Sequence, residues 1–230
     1  MSAASNIRPV VAVSGLIFEA RIAAGPGVMV VCDSRKLRLV AALEAAIGRG
    51  CVGVISFGTA GGLAPDLAPG SWIVASAIVS GRGRFPTDPR WSKKILQMLP
   101  AATHANIAGV DAPVADTQAK RALHGRTGAA AADMESHMAA GIAAAYGLPF
   151  AACRVIIDPA YCTLPPAALV GMRSDGGTDV AAVLRSLARW PKQLGDLVQT
   201  ALDARTARVA LVHGRRLLGV GLGFPDFAEL

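Results

Sequence analysis

Aromatic side chains are scarce: Phe, Trp and Tyr together make up 5% of the 230 residues. Proteins that hold single-stranded nucleic acid interleave basic residues with aromatic stacking platforms. The chain has the positive excess, with a formal net charge of +7, but not the platforms, so nucleic acid is excluded as the expected partner. Charged residues are also few, at 17%, against 53% hydrophobic, a balance that excludes a disordered chain. No apolar run reaches the ~18 residues of a membrane-spanning helix. The first fifteen residues have too weak a charged region and too short an apolar one for a secretory signal, so a cytoplasmic protein is expected. The four cysteines, Cys32, Cys51, Cys153 and Cys162, form no C-x-x-C pair, and the four histidines show no ligand spacing. Reduced, buried thiols and no metal or cofactor follow from that pattern.

Short, nearly continuous apolar runs at 8–14, 28–32, 52–57, 72–79, 104–110 and 150–157 read as buried strands. Stretches of helical composition lie between them at 16–24, 37–47, 91–99 and 134–146, the last with Asp133 as its expected N-cap and Gly147 at its end. Strands this apolar need cover on both faces. The expected fold is α/β: one domain over 1–230 with a central mixed, mainly parallel sheet between helices. A basic and apolar helical segment is expected from about residue 178 to Ala204, interrupted at Pro191, and before it a loop bracketed by Pro165-Pro166 and Ser174-Asp-Gly-Gly177.

In such sheets ligands bind beyond the carboxyl ends of strands. Three strand ends carry polar signatures: Ser14-Gly15 leading to Glu19, the stretch Gly58-Thr59-Ala60-Gly61-Gly62, and Asp158. The glycine stretch is spaced G-x-x-G-G, which is neither a dinucleotide fingerprint nor a phosphate loop with its lysine. Read alone, it is a tight loop between a strand and a turn. Each acid also has an unremarkable reading. Asp158 precedes a proline, as turn residues do, and Glu19 and Glu135 suit first helical turns.

Taken together, the segments resemble the purine nucleoside phosphorylase and methylthioadenosine/adenosylhomocysteine nucleosidase superfamily. The stretch GTAGGLAP from Gly58 to Pro65 is similar almost residue for residue to that family's loop. Asp133-Met-Glu135-Ser136 resembles its acidic-Met-Glu motif, and Arg154-Val-Ile-Ile-Asp158 its Arg-to-Asp strand end. Ser14-Gly-Leu-Ile-Phe-Glu19 is similar to its first strand-to-helix turn. The resemblance spans about residues 9 to 160, and within it the sequence looks closest to the hopanoid-associated phosphorylases. It implies cleavage of the N-glycosidic bond of an adenine nucleoside, adenosylhopane, with release of adenine.

On that resemblance Asp158 is the general acid toward adenine N7 and Glu19 the base for a nucleophile. Glu135 holds ribose hydroxyls and Met134 packs on the sugar. Gly58, Thr59, Ala60, Gly61 and Gly62 border the ligand. Phosphate is a conceivable co-substrate, with Arg21, Arg35, Lys36 and Thr59 as the groups that would hold it. The resemblance also implies a homodimer, and a hopane substrate would bring peripheral membrane contact through the late arginines and the apolar residues from Leu187 to Phe224, the alternative for those apolar residues being packing on the core or in a dimer interface.

Three positions depart from the family pattern. Ile157 stands where a serine usually precedes the acid, Tyr161 where nucleosidases often carry a further Asp, and Ser56 where bacterial-type phosphorylases carry a phosphate-binding Arg. The last argues against phosphorolysis of the usual kind. A soluble methylthioadenosine-type nucleosidase and a non-catalytic nucleoside- or lipid-binding protein are the competing readings.

Overall fold

A computed structural model describes residues 8–33, 35–171 and 179–225. Among the described residues, eight strands and eight α-helices alternate for the most part, with β3, β4 and β5 consecutive in the middle and three helices at the end. The first half comprises β1 (Val10–Ser14), α1 (Ile17–Ala23), β2 (Val28–Cys32), α2 (Lys36–Gly48), β3 (Gly53–Gly62), β4 (Trp72–Ser80), β5 (Gly83–Pro86) and α3 (Pro89–Met98). The second comprises β6 (Thr103–Gly109), α4 (Thr117–Thr127), β7 (Ala131–Asp133), α5 (Ser136–Ala145), β8 (Phe150–Asp158), α6 (Pro166–Val170), α7 (Val180–Arg189) and α8 (Leu194–Leu218).

The sheet is mixed and mainly parallel, as expected. β1 pairs in parallel with β2 and β3, β3 with β8, β4 with β6 and β6 with β7. The antiparallel pairs are β3–β7, β4–β5 and β4–β8. These pairings close a ring: β3, β8, β4, β6 and β7 return to β3, which leaves the ring strands no free edge.

Helices cover both faces. On one, α1, α3 and α8 pack over Val10, Ala12, Ile55, Phe57, Val74 and Val155. On the other, α2 and α5 pack over Val11, Val13, Val54, Ala75, Ile107 and Ile156. Adjacent residues of one strand fall in different clusters because successive side chains point to opposite faces.

Four sequence expectations change. The glycine stretch 58–62 is not a loop. It continues β3, with 58–61 paired to β8 and Gly61 and Gly62 paired to β7, and a register shift between Ala60 and Gly61. The helix expected over 134–146 begins at Ser136, and Asp133 ends β7 instead of capping from a loop. Its carboxylate still accepts the Ser136 N–H at 3.1 Å, so the capping chemistry survives in a strand residue. The late helix runs on to Leu218 after a break at Pro191. Finally, β5, α4 and α6 were not foreseen. The loop expected between Pro165-Pro166 and 174–177 carries the short helix α6 (Pro166–Val170), and residues 172–178 lie outside the described residues.

The apolar stretch after Leu217 is largely turned inward. Leu218, Leu222 and Phe224 are buried in the α1/α3/α8 cluster. Trp91 Nε1 donates to the Leu222 carbonyl at 3.0 Å, and its ring meets Phe224 edge-on at 4.9 Å. Arg215 Nε donates to the Ala23 carbonyl at 2.9 Å, which fixes α8 to the end of α1.

Candidate active site

Five strands deliver polar groups to one end of the sheet. β1 ends at Ser14, β2 at Cys32, β7 at Asp133 and β8 at Asp158, while β3 runs between them through its glycines. Register places Gly58 opposite Arg154, and Gly61 opposite Asp158 on one side and Ala132 on the other.

Arg154 is the electrostatic centre. It interrupts the apolar run of β8 and is completely buried. Its Nε lies 2.7 Å from Asp133 Oδ2, a charge contact off the line of the N–H bond. Nη2 reaches Glu135 Oε2 at 3.3 Å and donates to Ser56 Oγ, and Nη1 donates to the Thr59 carbonyl at 3.3 Å. Ser56 Oγ lies 2.8 Å from Ser136 Oγ, which donates to Asp133. Three acids, Asp133, Glu135 and Glu19, thus surround one guanidinium.

Glu19, in the first turn of α1, is almost fully buried. Oε2 accepts the N–H groups of Gly15 at 3.2 Å and Leu16 at 3.1 Å. Oε1 accepts Thr59 N at 2.7 Å and Thr59 Oγ1 at 2.5 Å. Burial raises its pKa, while Arg154 and the Thr59 donors pull the other way. Glu135 occupies the bend between β7 and α5. Burial, opposed by Arg154 and helped by Asp133 and Glu19, pushes its carboxyl up to about 7.

The glycines answer to these side chains. A Cβ on Gly58, whose φ is +155°, would lie 2.6 Å from the Glu19 carboxyl and 2.8 Å from Arg154 Nη1. One on Gly15 would lie 2.3 Å from Glu135 Oε1. Both glycines leave room for the acids and the guanidinium to meet.

Asp158 stands apart from this cluster, beside Gly61. Gly58 and Gly61 are three residue steps apart, about 10 Å along β3 at the usual rise. Burial pushes the Asp158 carboxyl up to about 6, against the opposing pull of Lys120. Oδ2 lies 2.8 Å from Lys120 Nζ. Oδ1 is shielded from water and has no partner among the described residues.

The other sequence-derived positions are spread out. Ala60 is buried, Gly62 packs near Pro159 and Ala160, and Met134 is half-buried on the bend beside Glu135. Arg35 pairs with Asp33 at 3.2 Å and Lys36 with Asp111 at 2.5 Å, both at exposed positions at the start of α2. Arg21 faces outward from α1 on an open groove of about 470 Å³ lined by Ile17, Ala20, Ala24, Val30 and Cys32. Of its lining residues, the Cys32 thiol is pushed up to about 11 by burial, with Glu19, Glu135 and Asp33 adding to the rise.

Sequence reasoning assigned no role to Arg154 or Lys120. A single charge within the apolar run FAACRVIID was the available signal for the first. The second had none of its own.

Among solved structures, the fold is similar to futalosine hydrolase of Helicobacter pylori, with TM-score 0.68, 14% identity, and 97% of this chain and 99% of that one covered. It is also similar to the 5′-methylthioadenosine/S-adenosylhomocysteine nucleosidase of the same organism in complex with butyl-thio-DADMe-Immucillin-A. There the TM-score is 0.64 and identity 15%, over 91% and 98% of the chains. The S-adenosylhomocysteine nucleosidase of Streptococcus pyogenes gives 0.61 at 15% identity, over 87% and 98%. No curated protein sequence matches. Residues 9–203 match the phosphorylase superfamily. With that match over most of its length, the chain belongs to the phosphorylase superfamily and is an enzyme that cleaves N-glycosidic bonds.

Proposed function

We propose that the protein hydrolyses an adenine nucleoside with a large apolar 5′ substituent, adenosylhopane, and releases adenine. The observation that carries this reading is a pair of buried carboxyls in unlike surroundings along one strand. Glu19 is saturated with donors beside a guanidinium, whereas Asp158 keeps one oxygen without a partner among the described residues. Glycosidic cleavage passes through an oxocarbenium-like state and asks for one group that gives a proton and another that takes one.

Asp158 would protonate the base at N7 as the C1′–N9 bond breaks. Positive charge then grows on the ribose near a cluster in which carboxylates outnumber the guanidinium, an arrangement that favours it. The four acceptor sites of Glu19 are all filled. Thr59 Oγ1 is the donor that can rotate away, and its departure would seat a water for Glu19 to deprotonate. Glu135 would accept the ribose hydroxyls, with Met134 against the sugar.

Water is the nucleophile the cations favour. A phosphate needs charge-assisted donors. Arg154, Arg35 and Lys36 already hold carboxylates, and the guanidinium left over, Arg21, sits out on the groove. The groove is open and mostly apolar, as a rigid hydrocarbon beyond the 5′ carbon requires. A lipid-linked substrate also calls for peripheral membrane contact, and the homodimer implied by the family resemblance is retained as part of this proposal.

The test is adenine release from adenosylhopane and from 5′-methylthioadenosine, each with and without phosphate. We expect release without phosphate, faster from adenosylhopane. A phosphate requirement would replace hydrolysis by phosphorolysis. Preference for methylthioadenosine would return the enzyme to the soluble nucleosidases. Binding without release would leave a non-catalytic binding protein.

A further inference from the structure

Lys120 lies on α4 and is completely buried, a state lysines almost never reach unpaired. Its Nζ lies 2.8 Å from Asp158 Oδ2 and donates to the carbonyls of Pro159 at 2.8 Å and Cys162 at 2.7 Å. An ammonium has three donors, and all three are spent on the five residues 158–162. Lys120 therefore has nothing left with which to touch a substrate. Taking an ammonium out of water costs several kcal/mol unless its partners repay it, and a methionine would fill the same space without that cost. No other residue of α4 is fully buried.

We infer that Lys120 is a positioning residue that fixes Oδ2 of Asp158, leaving Oδ1 to carry the proton that the leaving base receives. The inference rests on the reading of Asp158 as the acid. In the step it serves, the Oδ1–H bond breaks and N7–H forms, while the C1′–N9 electron pair leaves with the base. Water adds its oxygen to C1′ and passes its proton to Glu19. The negative charge appearing on Asp158 is then held 2.8 Å from an ammonium, so the donated proton leaves a stabilised carboxylate.

The experiment compares Lys120→Met, Lys120→Arg and Asp158→Asn in adenine release from 5′-methylthioadenosine between pH 5 and 9. In parallel, the Asp158 carboxyl is titrated by ¹³C NMR in the free protein. An adjacent opposite charge lowers a carboxyl pKa by roughly 1–3 units. Lys120→Met is therefore expected to move the alkaline limb of kcat/KM, and the carboxyl titration, upward by about a unit or more. Its plateau kcat should fall, by less than the roughly 100-fold or greater loss expected for Asp158→Asn. Lys120→Arg should return the limb toward its original place.

A purely structural lysine would still move the carboxyl titration but would lower the rate by one factor at every pH, and a kcat/KM limb that fails to follow the carboxyl overturns the inference. If Asp158→Asn itself keeps a normal rate, the general-acid reading fails instead. Should the wild type prove inactive on methylthioadenosine, the same pH profiles are taken with adenosylhopane. Lys120→Met should fold, because Asp158 can take up a proton, and the double variant Lys120→Met/Asp158→Asn supplies an uncharged control.

Discussion

At the scale of single residues, the site is defined as much by missing side chains as by present ones. Gly58 leaves the space in which Glu19, Arg154 and the Thr59 hydroxyl converge. We predict that Gly58→Ala lowers turnover about 100-fold, because a displacement near 1 Å at a catalytic group has that consequence. Overpacking should also destabilise the fold by about 1–3 kcal/mol. Gly48→Ala is the matched control: it lies at the end of α2 with nothing within 4 Å of the added methyl. There, stability should hold or rise by about 0.5–1 kcal/mol. Equal effects at the two positions, measured by thermal melts and adenine release, would refute the packing argument. The acids were legible through the family resemblance alone, because each taken singly reads as a turn or first-turn residue. Their partners were not, because a buried Arg–carboxylate cluster is assembled from β3, β7, β8 and α1, which lie far apart in the chain.

Elements were legible in proportion to their apolar patterning. The strands of the interior read well because both of their faces are covered. α4 did not, and the reason is physical: its one buried side chain is a lysine, so it has no apolar stripe. Its ends did carry signals, for Asp116 accepts the Ala119 N–H at 2.7 Å and Gly128 closes the helix at φ +63°. The glycine stretch failed in the opposite way. Glycines weaken a strand, but β8 pairs with Gly58–Gly61 and β7 with Gly61 and Gly62, and a ring closed by distant pairings cannot be seen in a local window. Arg154 joins these same strands. Arg154→Met should destabilise by about 3–5 kcal/mol, since it leaves Asp133 and Glu135 buried without a counter-charge. For a chain of this length that is a fall in Tm of roughly 10 °C or more. The loss should shrink at low pH, where the orphaned carboxylates are protonated. A melt that is unchanged, or equally lowered at pH 5 and pH 8, would show that the ion cluster does not hold the strands together.

For the whole molecule, the C-terminal third divides into an inward part and an outward part. Leu218, Leu222 and Phe224 are buried against Trp91, so the tail belongs to the core. At about 2 kcal/mol for each such side chain, their removal would take roughly 6 kcal/mol from a total that is commonly about 10. A chain ending at Leu217 should therefore melt early or not fold. The outward part is different. Val180, Leu184, Trp190, Leu194, Val198 and Leu202 are half or more exposed, and Arg185, Arg189 and Lys192 lie among them on α7 and the following turn. Apolar side chains flanked by cations suit the boundary of an anionic bilayer, and among the described residues no helix is long and apolar enough to cross one. The proposed membrane contact accordingly moves from the tail to this face. The protein should sediment with vesicles containing phosphatidylserine, less so as salt is raised. The double variant Leu184→Glu/Val198→Glu should lose that association while keeping its melting temperature and its release of adenine from methylthioadenosine. Vesicle binding that survives both substitutions would remove the lipid surface from the proposal, and a change in sedimenting mass instead would assign the face to a second copy of the chain.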